Sequence, residues 1–327
     1  MTAEILFLRT GQWLSIHPSY CIKMTLKASQ KFTGYTVAIL SGMLFGLNPF
    51  LRLVARNAGM SASGVMLVSM LMGSLISFVV YWIRRDRIRT KCILKLIFAG
   101  AIGAGLTGYF LLSSYSYISS GSTQVIHFLY PTFICLANVI LFHRRFTFAK
   151  AAAIILSIAG VYLISDFSTV GSIRGVLLAL LSALTFAAYS LLLDGDQDIS
   201  GLPAPVKIPF LLLGGAAVSF LICLLSGNLK AVPASLNTVS LLGCFGSSLI
   251  VLFATLFFAM GIRMIGSSPT GFCSLFEPIT SVIVGIMFRA EPITVRILIG
   301  MIMALSTVVV IISEDWFSAV RKSASDR

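Results

Sequence analysis

The sequence predicts an all-α integral membrane protein of ten transmembrane helices, arranged as two inverted five-helix repeats. Three observations carry that expectation. The 327 residues are 57% hydrophobic and only 11% charged, with a mean hydropathy of +0.98, whereas a soluble domain carries about a quarter charged residues. Apolar runs near the roughly 20 residues that cross a hydrocarbon core of about 30 Å follow one another through short connections. Landmarks of the first half also return, in order, in the second. Gap-free apolar runs of this length argue against an outer-membrane barrel, whose strands alternate over about 10 residues.

Residues 1–31 are expected to be a basic leader. "MTAEILFLRTGQWLSIHPSYCIK" has neither an apolar stretch of signal-peptide length nor a small-residue cleavage site, and the basic "MTLKASQKFTGYT" that follows makes Met24 a candidate start. The expected spans are 33–54, 63–83, 93–117, 121–142, 148–165, 174–193, 207–226, 237–261, 268–288 and 293–313. The first is bounded by Lys31 and by Arg52 and Arg56; the second ends at "RRDRIRTK" (84–91), which also opens the third. The third is glycine-rich between 100 and 108, and the fourth holds Pro131 and ends at "HRR" (143–145). The fifth is short and closes the first repeat, 32–166. The sixth opens the second repeat, 173–313, and "DGDQDISGLPAP" (194–205) separates it from the seventh. The eighth is uninterrupted, the ninth holds Glu277-Pro278, and the tenth leads into a tail, 314–327.

The repeat is read in register. Placing Gly34 over Gly175 brings Ser41 to Ser182, Phe45 to Phe186 and Asn48 to Tyr189. Placing Pro131 over Pro278 brings Thr123 to Thr270 and His127 to Ser274. Five spans per half is an odd number, so the halves must cross the membrane in opposite senses, and a binding site is expected near the midplane between them. With both termini cytoplasmic, 18 of the 24 Lys and Arg residues fall on the inner side, as the positive-inside rule requires. The net charge of +13 is thus read as topology, with no nucleic-acid partner. The six cysteines form no Cys-x-x-Cys pair and offer no metal site.

"LFGLNPFL" in the first span, "FLYPTFICLANVILF" in the fourth and "LFEPITSVIVGIMFRAEPIT" across the ninth and tenth resemble the EamA-type transporters of the drug/metabolite transporter superfamily. The resemblance covers about residues 33–313. It implies a ten-helix exporter-like fold with both termini cytoplasmic. The first half departs from the family pattern: Tyr130 stands where an acid often precedes the proline, and "HRR" replaces a Gly-Glu-Arg turn.

Helical spacing gathers polar residues into stripes. Thr270, Ser274, Glu277 and Ser281 share one face of the ninth span; Thr123, His127 and Tyr130 share one in the fourth. Ser41, Phe45, Asn48 and Arg52 align in the first, and Ser182, Phe186 and Tyr189 in the sixth. Tyr109 and Ser113 align in the third. Polar faces are disfavoured against lipid, so the stripes should converge. The substrate-pocket candidates are therefore Ser41, Phe45, Asn48, Tyr109, Ser113 and Thr123, with Tyr130, Phe186, Tyr189, Thr270, Ser274 and Ser281. Each has a plainer reading: small hydroxylated residues usually mediate helix contact, "GMLFG" (42–46) reads as a close-approach motif, and Arg52 can snorkel to the interface.

Glu277 stands apart, because an acid at membrane depth costs about 2.5–3.5 kcal/mol on insertion scales. Glu277 and His127 are the proton-coupling candidates, and Pro131 and Pro278 the hinge candidates, since proline removes a helical hydrogen bond and bends the helix. No phosphate-binding Gly-Lys-Ser/Thr loop or His-Glu-x-x-His motif is present, and there are only three histidines. The chain is not expected to be an enzyme or to carry a cofactor. The expected activity is secondary transport, by export, of small organic metabolites or drugs across a bacterial cytoplasmic membrane. Lipid and protons are the remaining expected partners, and the oligomeric state is left open. An uncoupled uniporter or lipid-type flippase is the alternative, and a membrane receptor or signalling subunit the alternative from another class.

Overall fold

The computed structural model describes residues 6–7, 13–14, 18–84, 88–114, 116–118, 120–141, 143, 146–164, 172–289 and 294–325. Two two-residue strands, β1 (Leu6–Phe7) and β2 (Trp13–Leu14), pair antiparallel. The remaining regular structure is helical. The first half holds α1 (Pro18–Asn57), α2 (Ala62–Arg84), α3 (Thr90–Gly100), α4 (Thr107–Ser114), α5 (Ser120–His127), α6 (Tyr130–Ile140) and α7 (Phe148–Ile164). The second holds α8 (Ile173–Gly195), α9 (Gln197–Ser200), α10 (Ala204–Leu225), α11 (Ala231–Ala234), α12 (Thr238–Ile265), α13 (Ser267–Cys273), α14 (Phe276–Arg289) and α15 (Val295–Ser325). A π-helical segment, Ala101–Leu106, joins α3 to α4.

Nine helical stretches among the described residues are long and apolar enough to cross a membrane. The expected fifth span is α7, whose apolar part, Phe148–Leu163, is shorter; at 1.5 Å per residue it reaches only about 25 Å. Residues 165–171 and 290–293, where the two halves and the last two spans were expected to join, lie outside the described residues, as does most of "HRR". The backbone of α1 runs from Pro18 through Met24 without a break. Beyond the expected end of the tenth span, α15 continues to Ser325.

Proline explains two of the interruptions. A proline ring clashes with the carbonyl of the residue four before it. For Pro131 that residue is His127, where α5 ends; for Pro278 it is Ser274, where α13 gives way to α14. Tighter three-residue bonds cross each break: Leu129 N donates to Ile126 O (3.1 Å) and Glu277 N to Ser274 O (2.9 Å). Each proline then sits in the first turn of the following helix, where its missing N–H would have had no intrahelical partner.

The helices pack in a reciprocal pattern. α1 lies against α12 and against α13–α14, while α8 lies against α3–α4 and α5–α6; α2 pairs with α10, and α7 with α15. Glycines set the closest approaches. A Cβ on Gly42 would stand 3.1 Å from Cys273 O, and one on Gly46 would collide with Glu277 O, so α1 meets the α13–α14 break backbone to backbone. Gly100 and Gly214 do the same where α3 crosses α10.

Two ends of the bundle differ in charge. At one, Lys95 Nζ reaches both Asp196 Oδ2 and Asp198 Oδ2 (2.6 Å each) and Lys91 reaches Asp198 (3.2 Å). There too Thr147 Oγ1 donates to Glu314 Oε1 (2.6 Å). At the other end the links are neutral or single-cation: Asn228 Nδ2 donates to Ser63 Oγ (3.2 Å), Asn237 Nδ2 to Ala58 O (2.9 Å), and Arg174 covers the Tyr117 ring.

Candidate functional site

The interior of the bundle joins a polar cluster to an aromatic one. Asn48, on α1, lies 2.7 Å from Ser247 Oγ on α12. Turning its amide so that Nδ2 donates to that hydroxyl lets Oδ1 accept from Arg52 Nε (3.2 Å) and Nη2 (3.3 Å). This orientation satisfies every group, which is how an amide is assigned. Arg52 therefore points toward the interior and does not snorkel outward. Its guanidinium is near enough to act electrostatically on Glu277, in the first turn of α14 just after the break. Tyr130 lies in the same neighbourhood as Glu277 and Ser274, and Ser274 Oγ donates to Thr270 O (3.2 Å). The Tyr130 hydroxyl also lies 3.4 Å from Gly271 O.

From Tyr130 the contacts become aromatic. Its ring is 4.6 Å from Phe186 and 5.4 Å from His127, and Phe186 is 5.3 Å from Phe258. Tyr189 stacks on Phe258 at 6.0 Å and 10°. Gly103, in the π segment, leaves room for the Tyr189 ring. Phe45 packs against the same cluster. Ser182 Oγ donates to Ala179 O (2.6 Å), so at 2.9 Å from His127 Nδ1 it serves as acceptor. That places a proton on Nδ1.

Asn48, Phe45, Tyr130, Phe186, Tyr189, Ser274, Glu277 and His127 thus converge as the stripes suggested. Other candidates do not. Ser41 donates to Ala254 O (2.8 Å) and Thr270 to Gly266 O (2.7 Å), so both are spent on backbone. Thr123 bonds Ser114 (2.9 Å), which itself donates to Gly175 O. The bonds of Ser41 and Thr123 fasten helix to helix, whereas that of Thr270 stays at the start of its own helix. Ser281 is exposed on the outside of α14. Tyr109 and Ser113 line a separate cleft between α2, α4 and α10. Pro131 and Pro278 are buried beside the two breaks. Ser247 and Phe258 went unnoticed in the sequence, although with Thr255 they lie on one helical face of the eighth span. The described residues contain no cluster of three or more His, Cys, Asp or Glu side chains fit to hold a metal.

Residues 32–166 match the EamA-like transporter family. Over that segment the chain is similar to the EamA-type proteins. A protein described as an uncharacterized transporter of Archaeoglobus fulgidus is 27% identical over 228 residues, which are 68% of this chain and 79% of that protein. A solved crystal structure shares the fold with a TM-score of 0.69, covering 86% of this chain and 96% of that one at 18% identity. The partial EamA similarity and the apolar helices together support an integral, multi-pass membrane protein. The matched EamA segment carries Asn48, Arg52, His127 and Tyr130; Glu277, Ser247 and Phe258 come from the other half.

Proposed function

We propose that this protein is an EamA-type secondary transporter that exports small organic molecules by alternating access, with Glu277 as its proton-coupling carboxyl. The observation that carries the reading is the Asn48–Arg52–Glu277–Tyr130 cluster, with contributions from α1, α6 and α14, set where two helices break at matched prolines. Interrupted helices place free backbone groups inside a membrane only where protein or a cavity receives them. The reciprocal contacts support two inverted five-helix repeats, 32–166 and 173–313: exchanging α1 with α8, α3–α4 with α12 and α5–α6 with α13–α14 maps one set of contacts onto the other. Rocking of one half against the other would then expose the cluster to each side in turn. The end rich in Lys and Arg faces the cytoplasm of a bacterial cell.

Arg52 gives the coupling a chemical form. With Glu277 ionised, the two charges hold each other; a proton on Glu277 removes that attraction and frees α14 to move against α1. The aromatic wall of Tyr130, Phe186, Tyr189 and Phe258 suits flat or amphipathic substrates. The same two charges favour one other reading, an uncoupled uniporter or lipid-type flippase in which Arg52 and Glu277 are only structural. Reconstitution into proteoliposomes separates them. Coupled transport predicts uptake of a substrate, from a panel of amino acids and amphipathic cations, that rises several-fold under an imposed pH gradient; equal uptake with and without the gradient would favour the uncoupled reading.

A further inference from the structure

We propose that the cleft between α2, α4 and α10, at the end of the bundle opposite the Lys95 clamp, binds the neighbouring hydroxyls of an uncharged sugar or polyol. The cleft measures about 370 Å³, within the roughly 300–1,000 Å³ of small-molecule sites. It is distinct from the Glu277 cluster and shares no residue with it. Its lining includes no charged side chain, so a phosphate, a carboxylate or an ammonium would find no counter-ion there.

Its hydrogen-bonding pattern is specific. Ser219 Oγ donates to Gly215 O (2.8 Å) and Ser226 Oγ to Ile222 O (2.7 Å), so each hydroxyl's hydrogen is spent on its own helix. Both Nδ2 hydrogens of Asn228 are spent as well, on Ser63 Oγ (3.2 Å) and Ser226 Oγ (3.1 Å). The α10 wall is therefore left with acceptors: the Asn228 carbonyl and serine lone pairs. The facing α4 wall brings hydroxyls that can donate, from Tyr109, Ser113 and Ser116. A ligand between the walls must donate to one and accept from the other. Adjacent alcohol groups do both, whereas a bare carbonyl or an ammonium does only one. Met66, Leu112 and Ile222 supply an apolar floor for the C–H face of a ring or chain. Because Ser63 stands at the start of α2, Ser116 in the turn after α4 and Asn228 just beyond the end of α10, the hydroxyls could arrive free in solution or on a glycolipid headgroup.

The test uses the full-length protein in nanodiscs and measures equilibrium binding of radiolabelled D-glucose and sorbitol, and of vesicles containing monoglucosyl diacylglycerol. Glycine and inorganic phosphate are the charged controls. Saturable binding of a free sugar or polyol, or of the glycolipid alone, that weakens about tenfold in Tyr109→Phe and in Asn228→Ala supports the site, that factor being the loss of about one hydrogen bond, and tells which source supplies the hydroxyls. Binding should persist in Glu277→Gln, which separates this site from the transport reading. If Asn228→Ala does not give a monodisperse protein, Tyr109→Phe, which removes one partly exposed hydroxyl, decides alone. No binding of any of the three probes, equal binding of glycine or phosphate, binding indifferent to the cleft substitutions, or binding lost only in Glu277→Gln would overturn the proposal.

Discussion

At the scale of single residues, the central relationship is between Arg52 and Glu277. Arg52 and Glu277 are each half-buried, and removing one charge leaves the other less compensated. Arg52→Leu should therefore lower stability, and Glu277→Gln added to it should restore most of the loss. A double-mutant cycle on thermal unfolding in detergent checks this; additive losses would mean that the two charges do not interact. Glu277 was legible in the sequence because an acid at apolar depth is rare. The inward turn of Arg52 was not, because its long side chain can reach either the interface or the interior, and only Asn48 and Ser247 decide which. Tyr109 and Ser113 were misdirected for a different reason. The π segment at Ala101–Leu106 widens the turn just before them and rotates the face they occupy, so plain α-helical spacing along the third span misjudges which neighbour they meet.

At the scale of elements, the matched prolines were readable as a pair, and their effect follows from the clash each makes one turn upstream, at His127 and Ser274. The helices' partners were less readable, since periodicity gives a face and not its neighbour. Gly46 shows the consequence. Its position opposite Glu277 O leaves no space for a side chain, so Gly46→Val should force α1 from α14 and cost about 1–3 kcal/mol through overpacking. A lowered melting temperature with Gly46→Val and little change with a valine at the uncrowded Gly201 is the expected pattern; equal effects would contradict it.

For the whole molecule, the ionic clamp holds the connection between α8 and α10 to the start of α3. Lys95 first, and Lys91 with it, hold the Asp198 carboxyl below its ordinary value. A depressed carboxyl contributes stability above its unfolded pKa of about 3.9 and loses it as pH falls through the lower folded value. The clamp should therefore stay closed at neutral pH and release only in acid below about pH 4. It should also weaken with salt, because its charges are partly exposed. If it closes the charged end during alternating access, Lys95→Ala should raise the labelling of a cysteine placed at Gly201 by a water-soluble maleimide several-fold at neutral pH. Unchanged labelling would reduce the clamp to a surface contact.

The account rests on a carboxyl that moves a proton while the bundle moves a substrate. Substrate accumulation in proteoliposomes under an imposed pH gradient, compared between the native chain and Glu277→Gln, tests it most directly. The expected result is that Glu277→Gln abolishes gradient-driven accumulation while exchange of substrate across the membrane, without a gradient, continues. Gradient-driven accumulation undiminished in Glu277→Gln would contradict it.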